Sequence, residues 1–443
     1  MTRYTADWIL PIATPPIAHG EVAVEGGRIT YVGPAREGGE GELRPLGHAV
    51  VLPGLVNTHT HLELTAMRGF LEGLEFRPWI HRLTRARHEV LTVESLRASA
   101  RVGIAEGLLA GVTTFADTCE SGVVLAELVE MGARGVMYQE VFGPDPAQCD
   151  AALAGLREKV GSLRRTESSA VRLGVSPHAP YTVSDPLFAA VARFARDEGL
   201  PVAVHAAESE EETRLVRDGE GGFADALRAR GLHVAGRASS PIALLERTGV
   251  LGVRPLLIHC VRVDEADVAR IAGHDCAVAH CPASNAKLGH GIAPLTALLK
   301  AGVRVGLGSD SVASNNRMDL LDEARLASLF QRADGRRHDI LPAARMLELA
   351  TAGGARALGM LPEVGTLEVG KWGDLAAFAL GSARAVPAFA PEDALLWALA
   401  GRAATLTVVA GRELVRDGAL VASRDADLAH VAGIARMLAD WQR

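Results

Sequence analysis

The chain has 443 residues, 48% hydrophobic and 22% charged, with 53 acidic against 46 basic side chains and a formal net charge of −7. That length excludes a small disulfide-stapled fold, and the acidic balance lacks the concentrated basic stripe that a nucleic-acid surface needs. No apolar run is long enough to span a bilayer, and Met1-Thr2-Arg3-Tyr4 leads straight into a strand pattern, so a cytoplasmic protein without membrane or nucleic-acid partners is expected.

Residues 1–50 read as short strands and turns, with period-2 alternation on either side of Gly26-Gly27 predicting a hairpin. The apolar run at 50–61 ends abruptly in His59-Thr60-His61. From 51 to 362, strand-like and helix-like segments alternate. Strands are predicted at 112–117, 134–138, 171–175, 202–205, 256–259, 277–280 and 303–307, with helices between them such as 94–109 and 264–272. With the opening strand this makes eight βα units, an α/β fold of the (β/α)8 TIM-barrel kind. Strand texture returns at 365–378 and 406–415, so residues 1–50 and 363–443 are predicted to form one small β-sandwich from both chain ends. A closing helix is predicted at 425–442, with Leu428, Val431, Ile434 and Leu438 facing inward. The cysteines, Cys119, Cys149, Cys260, Cys276 and Cys281, are scattered without paired spacing, and reduced thiols are expected.

The polar outliers gather where strands end, which in a parallel barrel is the rim that builds the active site. Side chains alternate along a strand, so His59 and His61 point the same way and offer half of a metal site. His178 follows the fourth strand, His205 ends the fifth with Glu208 just beyond, His259 and His280 end the next two, and Asp310 follows the last. Three imidazoles (His59, His61, His205) and the Asp310 carboxylate suit one divalent metal ion, zinc first, with Fe2+ or Mn2+ also compatible. Such an ion makes hydroxide available near neutral pH. Glu208 is placed to shuttle its proton, and His259 and Asp310 to orient the nucleophile and stabilise charge. Residues 171–177 contain no lysine of the kind that bridges two metals, so one ion is expected.

Several stretches together resemble the amidohydrolase superfamily, in its mononuclear deaminase and chlorohydrolase branch: Pro53-Gly54-Leu55-Val56-Asn57-Thr58-His59-Thr60-His61, Ser176-Pro177-His178-Ala179-Pro180-Tyr181, His205-Ala206-Ala207-Glu208, His280-Cys281-Pro282-Ala283-Ser284-Asn285 and Gly308-Ser309-Asp310. The resemblance implies metal ligation by His59, His61, His205 and Asp310, with Glu208 and His259 as the proton-transfer pair and His178 against substrate. Deaminases of this branch keep both Glu208 and His259, whereas triazine chlorohydrolases tend to lack one of them. Within the branch, His61-Leu62-Glu63-Leu64, Pro78-Trp79-Ile80, the stretch 284–291 and Asp310-Ser311-Val312-Ala313-Ser314-Asn315 look most like the aminodeoxyfutalosine deaminases of menaquinone synthesis.

The resulting expectation is a deaminase of the exocyclic amino group of an adenine-type nucleoside, 6-amino-6-deoxyfutalosine first. That substrate carries a benzoate, for which Arg68, Arg77, Arg82 and Arg85, clustered with Arg87 after the histidine pair, offer a carboxylate partner. Trp79 either stacks on a base or fills the core. Alternatives are a deaminase of S-adenosylhomocysteine, methylthioadenosine or guanine, a chlorohydrolase or amidase acting on an N-heterocycle, and a scaffold without activity. The expected partner is a small-molecule substrate, and a homo-oligomer is left open.

Overall fold

The protein is described from a computed structural model, which covers residues 1–442. Strands β1 (Thr2–Ile9), β2 (Ile17–Glu25), β3 (Arg28–Pro34), β4 (Glu42–Pro45) and β5 (Ala49–Pro53) come first. The run at 50–61 is two strands, because Gly54 breaks it between β5 and β6 (Leu55–Thr60). A Cβ at Gly54 would stand 2.1 Å from Thr113 Oγ1, so only glycine lets the chain pass here. The two halves of that run belong to different sheets.

Seven further strands follow β6: β7 (Val112–Cys119), β8 (Arg134–Val141), β9 (Val171–Pro177), β10 (Ala203–Ala206), β11 (Leu256–His259), β12 (Ala277–His280) and β13 (Arg304–Leu307). Strands β6 to β9 form one parallel four-stranded sheet and β10 to β13 another. The sheets meet along both edges. At one seam Val175 bridges Val202 and its N–H donates to Pro201 O at 3.0 Å; at the other Thr60 bridges Asp310, whose N–H donates to His59 O at 2.9 Å. Helices connect successive strands, and β6, β7, β10, β11 and β12 are buried along their whole length, as expected of parallel strands covered on both faces. The helix Val93–Leu109 starts where predicted, with Thr92 Oγ1 accepting from Ser95 N at 3.1 Å as its cap.

The chain ends do come together, but as one sheet. Strands β14 (Leu375–Ala379), β15 (Leu406–Val409), β16 (Arg412–Arg416) and β17 (Ala419–Leu420) join the first five in a nine-stranded mixed sheet, ordered β17-β16-β15-β14-β5-β1-β2-β3 with β4 also on β1. Hydrogen bonding makes these strands one continuous sheet among the described residues, because β5 pairs with both β1 and β14, and strands from the two chain ends also face each other: Tyr4 on β1 donates to Glu413 on β16 at 3.3 Å, and Tyr4, Val22 and Val24 share a core with Leu375, Leu406 and Val408. The helix Asp425–Gln442 buries Ile434 and Leu438, whereas Leu428 is exposed. Its apolar side packs on a cluster containing Leu64, Met67, Phe76 and Trp79, so the last helix braces the segment that follows the histidine pair.

Candidate active site

The strand ends converge on a cavity of about 380 Å3, walled by Leu64, Phe76, Trp79, Leu83, Phe142 and Tyr181. At its floor lie His61, His205, Glu208, His259 and Asp310. This is the size and the largely apolar lining of a small-molecule site.

His59 and His61 do share a face, their ring centroids 4.8 Å apart, and His205 lies 5.0 and 5.3 Å from them. Thr60, between the two, turns away and donates to Asp117 Oδ2 at 2.8 Å; the same oxygen accepts from Leu62 N at 2.7 Å, which pins the end of β6 to β7. Asp310 faces the histidines with Oδ1, 3.1 Å from His59 Nε2 and 3.7 Å from His61 Nε2. Its Oδ2 is occupied by the hydroxyls of Ser284 and Ser314, at 2.5 and 3.0 Å. Gly308 permits this approach, because a Cβ there would lie 2.9 Å from the Cβ of His59.

The nitrogen atoms themselves suit a metal ion. His59 Nε2 is buried without a hydrogen-bond partner, and an orphaned buried nitrogen is costly unless something else satisfies it. His61 Nε2 and His205 Nε2 approach to 3.3 Å, while His205 Nδ1 is held by His178 O at 3.1 Å, which directs Nε2 inward. Burial, followed by the neighbouring imidazoles, pushes His61 down to about 4 and His205 well below the ordinary histidine value. Burial pushes the Asp310 carboxyl up, but His59, His259 and His61 outweigh it and hold the group well below the carboxylate range. Neutral imidazoles and an ionised carboxylate with inward lone pairs fit a divalent cation.

Beside this cluster, Glu208 is buried with Oε1 3.6 Å from His259 Nε2 and 3.4 Å from His290 Nε2. Burial alone would raise its pKa, yet these two histidines lower it. His259 Nδ1 meets Asn285 Oδ1 at 2.9 Å, which leaves Nε2 toward Glu208. Four residues at these strand ends, Ala207, His259, Cys260 and Asp310, adopt positive φ of 53°, 75°, 47° and 59°. Such strain costs on the order of 1–3 kcal/mol each and gathers where side chains must be aimed rather than merely packed.

His178 lines the cavity, with Nδ1 2.8 Å from Thr182 Oγ1, and burial followed by His61 pushes it down to about 3. Trp79 is part of the wall, stacked near Phe76 and packed in the cluster under the last helix. Arg68 is not in the cavity lining: its guanidinium is bound by Glu106 and by Asn316 O at 2.8 Å. Arg77, Arg82 and Arg85 also lie outside the lining, the last paired with Glu89. Arg87 does face the cavity, but Glu63 (2.8 Å) and Glu120 both hold it. His280 is buried behind the rim and does not line the cavity. Sequence reading missed His290 and gave Asn285, Ser284, Ser314 and Asp117 no role. The first three lie in stretches quoted for their family texture, and only their spatial partners reveal what they orient.

The amidohydrolase family profile matches residues 50–414. The chain belongs to the amidohydrolase family. The amidohydrolase is 31% identical over 329 residues to a 5-methylthioadenosine/S-adenosylhomocysteine deaminase of Moorella thermoacetica, covering 73% of each chain. Among solved structures it resembles an adenosine deaminase of Xanthomonas campestris with bound zinc (TM-score 0.87, 28% identity, 99% and 98% of the two chains). It also resembles the zinc-complexed atrazine chlorohydrolase of Arthrobacter aurescens (TM-score 0.85, 25% identity, 98% and 100%). An aminofutalosine deaminase of Helicobacter pylori shares the fold at 20% identity, with a TM-score of 0.80 over 94% and 100% of the two chains. This amidohydrolase is an enzyme, a hydrolase of C–N bonds of the deaminase type with a divalent-metal site. No helix among the described residues is long and apolar enough to cross a membrane.

Proposed function

We propose that this amidohydrolase is a hydrolytic deaminase of adenine-type nucleosides that holds one divalent cation, zinc first, between His59, His61, His205 and Asp310. The eight parallel strands joined at both seams are read as a (β/α)8 barrel, which places the site at its C-terminal rim. The observation that carries the reading is Glu208: a buried carboxylate, held ionised by two histidines, outside the ligand set and beside it. A relative acting on methylthioadenosine and S-adenosylhomocysteine supports the substrate class.

A divalent cation bound there supplies a water-derived nucleophile near neutral pH. Glu208 takes the proton of the attacking water and delivers it to the ring nitrogen beside the amino-bearing carbon. His259, fixed through Nδ1 by Asn285, faces Glu208 with Nε2 and steadies the second proton on its way to departing ammonia. Phe76, Trp79 and Tyr181 exclude water and flank a planar base.

The cavity ranks the substrates differently from the sequence. A benzoate needs a cationic partner, and the one arginine in the lining is already held between two glutamates. Methylthioadenosine, which has no carboxylate, therefore comes first, with S-adenosylhomocysteine and 6-amino-6-deoxyfutalosine, which both carry one, behind it. The test is ammonia release by zinc-loaded protein from these three, adenosine and guanine. Turnover of adenine nucleosides is expected; release of chloride or an alkylamine from triazines alone, or silence across the panel at full metal occupancy, overturns the reading.

A further inference from the structure

Five carboxylates line the cavity: Glu63, Glu120, Glu140, Glu208 and Asp310. Four have assigned partners. Glu63 binds Arg87 and the Ser121 hydroxyl, Glu120 binds Arg87, Glu208 faces His259 and His290, and Asp310 faces His59 and takes two serine hydroxyls. Glu140, near the end of β8, is different. Its side chain is only 6% exposed and Oε1 has no hydrogen-bond partner, while the nearest basic atom, His178 Nε2, is 4.0 Å away. A buried acceptor left open in this way costs free energy that a bound donor recovers.

The neighbour strengthens the point. With the Thr182 hydroxyl donating to Ala179 O at 3.2 Å, it accepts from His178 Nδ1, so that Nε2 is the unprotonated, accepting nitrogen. Burial, then Glu63 and Glu120, pushes the Glu140 carboxyl well above the usual carboxylate range; with its proton on Oε2, the unpartnered Oε1 and His178 Nε2 are two acceptors 4.0 Å apart on one wall of the cavity, and what fits them is a group with two adjacent donors. In an adenine nucleoside the purine perimeter offers acceptors, apart from the amino group consumed in the reaction. The vicinal sugar hydroxyls are the one donor pair that remains.

Resting on the deaminase reading above, we propose that Glu140 is a specificity-determining residue which, with His178, accepts hydrogen bonds from the two ribose hydroxyls. The pocket then selects ribonucleosides over their deoxy counterparts. A site built to hydrogen-bond a hydroxyl discriminates strongly against an analogue lacking it, because its own polar group is left unpaired.

The experiment is steady-state ammonia release from adenosine, 2'-deoxyadenosine and 3'-deoxyadenosine by the zinc-loaded wild type and by Glu140→Gln, with zinc content measured for both. Wild type should lose at least about tenfold in kcat/KM on one or both deoxy substrates. The variant should bring that ratio within about twofold of unity, chiefly through a higher KM for adenosine at unchanged zinc content. Equal turnover of all three by the wild type overturns the assignment without any variant. So does a variant that keeps the wild-type ratio. Inactivity of zinc-loaded wild type toward every adenine nucleoside strikes the deaminase reading, and this inference with it.

Discussion

Replacing Glu208 with glutamine changes one oxygen to an amide nitrogen in a buried site, so packing is preserved and only proton transfer and charge are lost. Glu208 is 4% exposed, which denies solvent an easy route as a substitute proton carrier. Two imidazole nitrogens remain at 3.6 and 3.4 Å, and they can relay a proton, though less well placed than the carboxylate. A positioned general acid–base is worth about 10²–10⁴ in rate. Glu208→Gln should therefore lower kcat by about that factor, equivalent to about 3–5 kcal/mol of transition-state stabilisation. Metal content should stay at the wild-type level, because the four proposed ligands are untouched. The assay pairs ammonia release under saturating substrate with elemental analysis of the same preparation. Activity within tenfold of wild type at equal metal content would remove Glu208 from the proton path and leave the mechanism without its shuttle.

Asp310→Asn should cut bound metal per chain at least tenfold, about 1.4 kcal/mol or more, since it removes the one anionic ligand while Ser284 and Ser314 still hold the side chain; full retention on dialysis against a mild chelator would exclude Asp310 from the ligand set. Arg68→Ala should leave KM for nucleosides unchanged and cost no more than about 1 kcal/mol in urea unfolding, as its partly exposed pair with Glu106 lies outside the cavity; a large KM effect confined to carboxylated substrates would restore the arginine clamp. In metal-free protein, burial holds His61 at about 4 and His178 at about 3, below an unfolded value of about 6.5. The unfolded chain then binds protons that the fold refuses, so stability is fully present above about pH 6.5 and falls as pH drops toward 4, by about 3 kcal/mol for His61 alone. Denaturant midpoints that stay level between pH 7 and 4.5 would contradict the buried, neutral histidines.

Much of the site was legible because chemistry-bearing residues sit at abrupt ends of apolar runs. His59, His61, His205, His259 and Asp310 each interrupt or follow a buried strand, and a period-2 pattern fixes which face each takes. The arginines were misread for the opposite reason. A cluster in sequence says nothing about partners from elsewhere, and Glu106 lies 38 residues beyond Arg68. The same limit hid Asn285, whose carbonyl aligns His259 from the next βα unit, and His290, which reaches Glu208 from a loop. At the chain ends, alternation announced strands but not their neighbours. That one continuous sheet joins them depended on β5, whose apolar run appeared continuous with the strand bearing the histidines until Gly54 divided it.

That division bears on how the enzyme is made. Strand β5 enters the sheet between β1, synthesised before it, and β14, which begins more than 300 residues later. One glycine separates β5 from the strand that carries His59. On a ribosome β5 can therefore acquire one flank early, but its other flank waits until nearly the whole polypeptide has emerged. Pairings this distant form late and slowly. A truncated nascent chain lacking β14 would leave the strand that leads into β6 on an unfinished edge, so the support upstream of His59 and His61 is completed only at the end of biogenesis.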